Sequence, residues 1–211
     1  MARRSTLLTL TLGLLLILPW AQVNSATKAE TAYTTRQVPF FLSDAENAKA
    51  AGRLDIATQL EILGRKGEWL HVKITGWYQD GGKRVIFEKP GKRILALILK
   101  KSAVSHLQRL RTIILQETEI TWHKAEMTGF IKDTELESGI SKLWEKAEEL
   151  FSTRCTVCHQ RRIPDKYTIN QWRSLLKVMG PRTGLPKANQ QLILKYLQYQ
   201  ARDANELASN P

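Results

Sequence analysis

The chain is poor in the residues that build most metal and catalytic centres. Of 211 residues only two are cysteine, four are histidine and three are methionine. A structural zinc ion needs four ligands, so a site at Cys155 and Cys158 would have to borrow from His71, His106 or His123, all distant in sequence. Ser, His and Asp residues occur, but none stands in a recognisable nucleophile turn, so no hydrolytic constellation is legible. Long apolar runs are also missing. Leu7 to Leu18 spans 12 residues and is interrupted by Thr9, Thr11 and Gly13, short of the roughly 20 a spanning helix requires. Negative charge is scarce: 32 Lys and Arg face 20 Asp and Glu, for a net charge of +12. That balance suits nucleic acid, an anionic membrane or an acidic protein, and does not choose among them. With 43% hydrophobic and 25% charged residues, the composition is that of a globular chain rather than a disordered one.

The beginning of the sequence reads as an export signal. Arg3 and Arg4 precede the apolar run, Pro19 ends it, and Val23-Asn24-Ser25 supplies a cleavage site. Cleavage after Ser25 would give a periplasmic protein of net charge +10 that is not an integral membrane protein. An uncleaved N-terminal anchor is the other reading. Export makes nucleic acid a poor partner.

The two cysteines stand together as Cys155-Thr-Val-Cys158-His159, the attachment signature for c-type haem. Two thiols add to the two vinyl groups on one edge of the porphyrin. The spacing lets the backbone bridge that edge, and the next residue lies under the ring, where its imidazole reaches the iron. Other uses are weaker. A thioredoxin-like pair wants a βαβ setting, whereas Leu143, Ala147, Leu150 and Phe151 recur at helical spacing before the site. A disulfide between Cys155 and Cys158 would close a tiny loop and add little stability. One covalently bound haem c is therefore expected, held by Cys155 and Cys158 with His159 as the proximal iron ligand. Outside residues 1–25, methionine occurs only at Met127 and Met179. Met179 follows a helix-like stretch from Asn170 to Val178, precedes Gly180-Pro181, and is the expected distal ligand. His106 or His123 is the fallback, and an open iron site the third possibility. Trp172 and Tyr167 are expected to line the haem pocket, with ordinary packing the simpler role for both.

Around the motif the chain resembles small class I c-type cytochromes. Ala147 lies eight positions before Cys155 and Phe151 four before it, and Tyr196 sits on a later helix spanning Gln190 to Gln200. In such proteins the small residue lets the first and last helices cross closely. Residues 138–203 are then a monohaem cytochrome c domain of 66 residues, a core marginal by itself that haem would complete. Residues 26–137 have a different texture. Val38 to Leu42, Thr58 to Leu63 and Trp69 to Ile74 read as strands, and the strand-turn-strand followed by Gly76-Trp77 resembles a bacterial SH3-like barrel with Trp69 and Trp77 filling or capping it. A hairpin follows over Val85–Glu88 and Arg93–Leu99, then a short helix over Ser102–Leu110 and strands at Ile113–Leu115 and Thr121–Ile131. The fold expected is thus α+β: an SH3-like small β-barrel module, then a small all-α cytochrome c domain, then a disordered tail at 204–211.

Several segments together resemble one family closely: Gly67 to Trp77, Arg84-Val-Ile-Phe, Gly91-Lys-Arg-Ile-Leu, Trp122-His123, Cys155 to His159, Asn170-Gln-Trp172 and Leu194 to Gln198. In that order they look like the C-terminal part of the TorC-type pentahaem c-type cytochromes of trimethylamine-N-oxide respiration. Family members carry a membrane helix and four further haem motifs ahead of this region; this sequence has neither. The resemblance implies an electron carrier rather than an enzyme. Its donor would be a membrane-bound multihaem cytochrome, and its acceptor a periplasmic molybdoenzyme reductase. Residues 138–203 carry twelve Lys and Arg against five Asp and Glu, a face suited to an acidic partner. The alternative function is a haem-dependent regulatory or docking protein acting through the SH3-like module.

Overall fold

A computed structural model describes residues 29–132, 136–157 and 159–204. The expected signal at 1–25, Cys158, and all but the first residue of the expected tail lie outside them. The described residues fold as ten strands followed by three α-helices. The strands are β1 (Thr31–Thr34), β2 (Val38–Phe40), β3 (Gly52–Leu54), β4 (Gln59–Lys66), β5 (Trp69–Gln79), β6 (Val85–Lys89), β7 (Lys92–Leu99), β8 (Gln108–Leu115), β9 (Ile120–Lys132) and β10 (Leu136–Glu137). The helices are α1 (Ser141–Arg154), α2 (Ile169–Met179) and α3 (Lys187–Tyr199). Among the described residues no helix is long and apolar enough to cross a membrane.

The centre of the sheet is β5. Its even-numbered residues Leu70, Val72, Ile74 and Tyr78 are buried on one face, as a strand's two-residue period requires. Along one side β5 pairs antiparallel with β9 from Trp69↔Lys132 to Gln79↔Trp122; on the other it meets β4 and then β6. The path β10-β1-β4-β5-β6-β7-β3-β2 is a single curled sheet, with β9 and β8 branching from β5. The curl brings Phe41, just beyond β2, back onto β9, where it exchanges both backbone hydrogen bonds with Phe130, at 2.9 and 2.8 Å. Gly129 makes this approach possible, because a Cβ there would lie 2.4 Å from the Phe41 carbonyl oxygen and 2.3 Å from the Phe40 ring. Inside the curl sit Phe40, Leu54, Leu97, Met127 and Ile131.

This architecture corrects the expected fold class. A curled, half-barrel antiparallel sheet of ten strands dominates the molecule, in place of a small SH3-like barrel followed by a separate all-α cytochrome c domain. The physical reason is a shared core. Ile56 and Ala57, between β3 and β4, and Ile94 of β7 pack with Leu143, Trp172, Ile193 and Leu197 of the helices. A three-helix unit this small is marginal alone, and the sheet supplies the missing apolar wall. The expected helix at Ser102–Leu110 is a 3-10 turn over Lys101–His106 that leads into a longer β8. That strand hides from pattern reading: residues 108–112 are all exposed, and a bulge shifts the register between Arg109 and Arg111, as suits a strand at a sheet edge.

Polar contacts fix the helices on the sheet. Lys195 of α3 is 2% exposed, and its Nζ lies 2.9 Å from Ile56 O, 2.9 Å from Leu95 O, 3.1 Å from Thr58 Oγ1 and 2.6 Å from Glu88 Oε1. An ammonium has three donors and no acceptor, so this shell of oxygens satisfies it. The Tyr199 hydroxyl donates to the other oxygen of Glu88. Gln198 donates to Arg93 O at 3.0 Å, and Asn170 of α2 brackets the β6–β7 turn by accepting from Arg93 N and donating to Gly91 O. Lys92 pairs with Asp203 at 2.7 Å. Burial alone would raise the Asp203 carboxyl, but hydrogen bonds from Lys92 and the Ile169 N–H outweigh it and hold the carboxyl below its ordinary value. The stability this contributes is present above the ordinary carboxylate pKa and is lost as pH falls through the depressed one.

Lys195→Ala takes the cation from the Glu88 carboxylate and the side-chain donor from the Ile56 and Leu95 carbonyls. Removing one partner of a buried ion pair costs about 3–5 kcal/mol. The expected outcome in urea unfolding is a loss of that size, with the helical signal melting first.

Candidate functional site

One cleft collects the residues singled out in the sequence. Its walls are the end of α1, the chain just after it, α2 and the 3-10 turn at Gly180–Thr183; it encloses about 350 Å³. Phe151, Trp172, Leu176 and Met179 give it an apolar lining, Cys155 and His159 face it, and Arg154, Arg162 and Arg182 supply the charge. The volume lies at the lower end of the roughly 300–1,000 Å³ usual for small-molecule sites.

Each wall has a local cause. In α1 the buried residues Leu143, Ala147 and Phe151 recur every four positions, the stripe a packed helix presents. Ala147 is 0% exposed beneath α3, which packs on both α1 and α2. The helix stops at Cys155, whose N–H still donates to Phe151 O at 3.2 Å. Helix α2 starts with a capping box: Thr168 Oγ1 accepts from Gln171 N at 3.2 Å, and Gln171 Oε1 accepts from Thr168 N at 2.8 Å. Such reciprocal caps satisfy two otherwise orphaned donors. This fixes the rotation of α2, so Trp172 and Leu176 point inward. Trp172 is fully buried; its Nε1–H donates to Pro164 O at 2.9 Å, and its ring stands edge-on to Phe151 at 6.2 Å.

Met179 is the last residue of α2 and is half-buried. The turn after it is locked by close packing: a Cβ on Gly180 would lie 2.6 Å from Gln190 Oε1, while Gln190 Nε2 donates to Leu185 O at 2.7 Å. Cys155 is half-buried, and that burial pushes its thiol above the ordinary value. His159 is exposed, with Nδ1 2.8 Å from Gln160 O. A carbonyl oxygen only accepts, so Nδ1 carries the hydrogen. In a neutral imidazole the lone pair is then on Nε2. Tyr167 rests on Trp172 at 4.9 Å and stands beside the cleft rather than in its lining.

The structure thus gathers Cys155, His159, Met179 and Trp172, while Cys158 lies outside the described residues. Neither fallback ligand joins them. His106 is exposed at the end of its 3-10 turn, and His123 is buried in β9 between Thr112 Oγ1 at 2.8 Å and Asp80 Oδ1 at 3.3 Å. Sequence reasoning missed the three arginines. It also missed Leu176, although its place one helical turn after Trp172 marks the same face. The residues fit the plate-like group the motif calls for. An aromatic and aliphatic lining would suit one face of a macrocycle, the Cys155 thiol would stand at its edge, and the His159 imidazole and Met179 thioether are donor types that iron accepts. In addition, the buried Nε of Arg162 lacks a hydrogen-bond partner among the described residues.

Comparisons with known proteins fall along the same chain. A family described as "TorC third cytochrome c domain" matches residues 26–136. This stretch contains the sheet through the first residue of β10 and ends ahead of the cleft. A cytochrome c-type protein TorC of Escherichia coli strain K12 is 29% identical over 175 residues, covering 82% of this chain and 45% of that protein. A cytochrome c-type protein TorY of Haemophilus influenzae is 28% identical over 137 residues, covering 65% of this chain and 37% of that protein. The chain spans less than half the length of these relatives. An alignment over 82% of the chain necessarily runs across Cys155–His159. No solved structure matches.

The raised Cys155 thiol has a direct readout. In an unloaded Cys158→Ala chain, alkylation by iodoacetamide is expected to titrate with a midpoint above that of a short peptide thiol, and to revert to it in urea. A native midpoint equal to the peptide's would show that burial does not act on this sulfur.

Proposed function

The chain belongs to the TorC third cytochrome c domain family and corresponds to the C-terminal part of TorC-type cytochromes; on that premise we propose that it is an exported monohaem c-type cytochrome carrying single electrons in an anaerobic respiratory chain. Electrons would come from a membrane-bound multihaem cytochrome and pass to a periplasmic molybdoenzyme reductase of the trimethylamine-N-oxide type. The carrying observation is the convergence of Cys155, His159 and Met179 on one apolar cleft. When bound, haem supplies a one-electron couple. Its iron would be ligated by His159 and Met179, a pair that favours electron transfer over binding of small molecules.

The chain's own residues do the rest. Cys155, with Cys158 three residues on, would tether the group covalently. The half-buried Cys155 thiol keeps its proton in the free chain, which restrains stray oxidation before attachment, since the thiolate is the reactive form. His159 holds its proton at Nδ1, against Gln160 O, and offers Nε2. Phe151, Trp172 and Leu176 exclude water, and a drier site favours the reduced, less charged state. Met179, at the end of α2 beside the Gly180 turn, would supply the second ligand.

The arginines at the cleft place positive charge where an acidic reductase would approach. Such pairing raises association rates and makes them fall with salt.

Expression with the machinery for cytochrome c maturation tests the proposal. The product is expected to gain the mass of one haem, lost in a Cys155→Ala/Cys158→Ala chain, and to show the visible spectrum of six-coordinate c-type haem. Met179→Ala is expected to retain the haem but bind carbon monoxide when reduced, which the unaltered protein resists. A mass equal to bare polypeptide after maturation would end this reading. A second measurement addresses the partner: oxidation of the reduced protein by a periplasmic trimethylamine-N-oxide reductase, followed by stopped flow, is expected to slow roughly tenfold or more between low and physiological ionic strength.

A further inference from the structure

A second cleft, of about 330 Å³, opens where α2 and α3 meet the sheet. The one residue it shares with the first is Leu176 of α2. Its walls follow from local periodicity. Arg173, Leu176 and Lys177 stand three and four residues apart on α2, and Lys187, Gln191 and Leu194 at the same spacings on α3. Each set therefore shares one helix face. Arg53 of β3 pairs with Ile98 of β7, and residues opposite each other in a sheet project to the same side. Both line the cleft.

The lining is divided by chemistry. Leu95, Ile98, Leu176 and Leu194 are buried or half-buried and form an aliphatic floor. Arg53, Arg173, Lys177 and Lys187 are exposed and ring it from three separate elements. None of these four side chains has an ion pair or hydrogen bond among the described residues. Elsewhere Lys66, Lys73, Lys132 and Lys142 each meet a carboxylate, at 2.7, 2.7, 3.1 and 3.2 Å. The single carboxylate in the lining, Asp55, already accepts from Gln37 Nε2 at 2.9 Å. Lys195 reaches the lining too, but its cage of protein oxygens satisfies it. Unpaired cations on a convex surface are simply solvated. Around a concavity they concentrate field lines and draw ions of opposite sign into it.

The same features select the ligand. Charges spread over three elements suit several separate negative groups better than one dense group. No glycine lines the cleft, so it has none of the glycine-rich backbone that usually cradles phosphate. The guanidinium forks of Arg53 and Arg173 match carboxylates with two parallel hydrogen bonds, and the aliphatic floor matches a carbon body. We propose that this cleft binds a compact polycarboxylate, its carbon body on Leu95, Ile98, Leu176 and Leu194 and its carboxylates toward Arg53, Arg173, Lys177 and Lys187. The site is independent of the haem reading. A ligand held there joins β3, α2 and α3, and so stabilises the helices on the sheet by binding only the folded form.

Calorimetric titration of the matured full chain with citrate at low ionic strength tests the site. One citrate per chain is expected, with a higher urea midpoint in its presence. Succinate is expected to bind about tenfold more tightly than sulfate, which has the same charge but lacks the two methylenes that the floor would cover. The double variant Arg173→Gln/Lys177→Gln is expected to weaken citrate binding about tenfold or more. Lys146→Gln, exposed on α1 and outside the cleft, is expected to leave it unchanged. A second measurement needs no substitution: citrate is expected to protect Lys177 and Lys187, but not Lys146, from acetylation by acetic anhydride. Absence of citrate binding, equal losses in the double variant and Lys146→Gln, or unprotected Lys177 and Lys187 would each overturn the proposal. Sulfate binding as tightly as succinate would overturn it as well, by showing that the floor selects nothing. If the double variant fails to fold, the acetylation pattern decides.

Discussion

Lys195 Nζ lies in the interior with four oxygens around it, two from strands (Glu88 of β6 and Leu95 of β7) and two, Ile56 O and Thr58 Oγ1, from the connection between β3 and β4. An ammonium cannot be buried unless nearly all of its hydrogens find acceptors, because the loss of hydration is too large to be repaid by one ion pair. That requirement is geometric. The helix bearing Lys195 has a single rotation and depth at which Ile56 O, Leu95 O, Thr58 Oγ1 and Glu88 Oε1 all come within 3.1 Å. Apolar contacts between helix and sheet tolerate sliding; this cage does not. The sheet has been shaped to receive it. Ala57 adopts φ +53°, a left-handed conformation that costs a non-glycine residue about 1–2 kcal/mol. Its N–H is held by Thr34 O at 2.7 Å, so the Ile56 carbonyl is turned toward the helix.

From this anchor the cleft follows. Helix α3 is pinned to the sheet and packs in turn on α1 and α2. Through Ala147 and Leu197, both 0% exposed, it sets how closely α1 approaches, and so where α1 ends and presents Cys155. Through Gln190 and the Gly180 contact it sets where α2 ends and presents Met179. A second attachment, Asn170 on the β6–β7 turn, fixes the other end of α2. A binding cleft formed by helix ends would be loose on three short helices alone. Here the rigid sheet acts as the baseplate, which explains why the strand region is as much a part of the site's precision as the residues that face it.

The sequence discloses this structure unevenly, and the unevenness has a cause. Period-two alternation in Trp69–Ile74 and the four-residue recurrence of Leu143, Ala147 and Phe151 are local signals, and local signals survive in a one-dimensional reading. So does Cys155–His159, whose chemistry needs neighbours in the chain. Two kinds of feature are lost. Edge strands such as β8 carry no buried face to alternate, and long-range contacts have no local signature. In the sequence Lys195 is simply a lysine among Leu192, Ile193, Tyr196 and Leu197. A charge on an apolar helix face ordinarily snorkels to water, and nothing in the nearby sequence announces that its acceptors lie about 100 to 140 residues upstream. The expectation of two independent modules failed for the same reason: each was read from its own pattern, and the bonds that fuse them belong to neither.

The two cations at the heart of the molecule invite comparison. Lys195 is fully caged and structural; its donors are all spoken for by protein. Arg162 is braced by Tyr167, and its Nε is buried without a hydrogen-bond partner among the described residues. Proteins seldom leave a buried charged donor unpaired unless a ligand or water completes it. The distinction separates a cation whose surroundings are complete from one whose surroundings are not. The apolar lining gathered beside Cys155, His159 and Met179 adds shape and polarity to the five-residue motif, which by itself speaks only for the attachment of one edge.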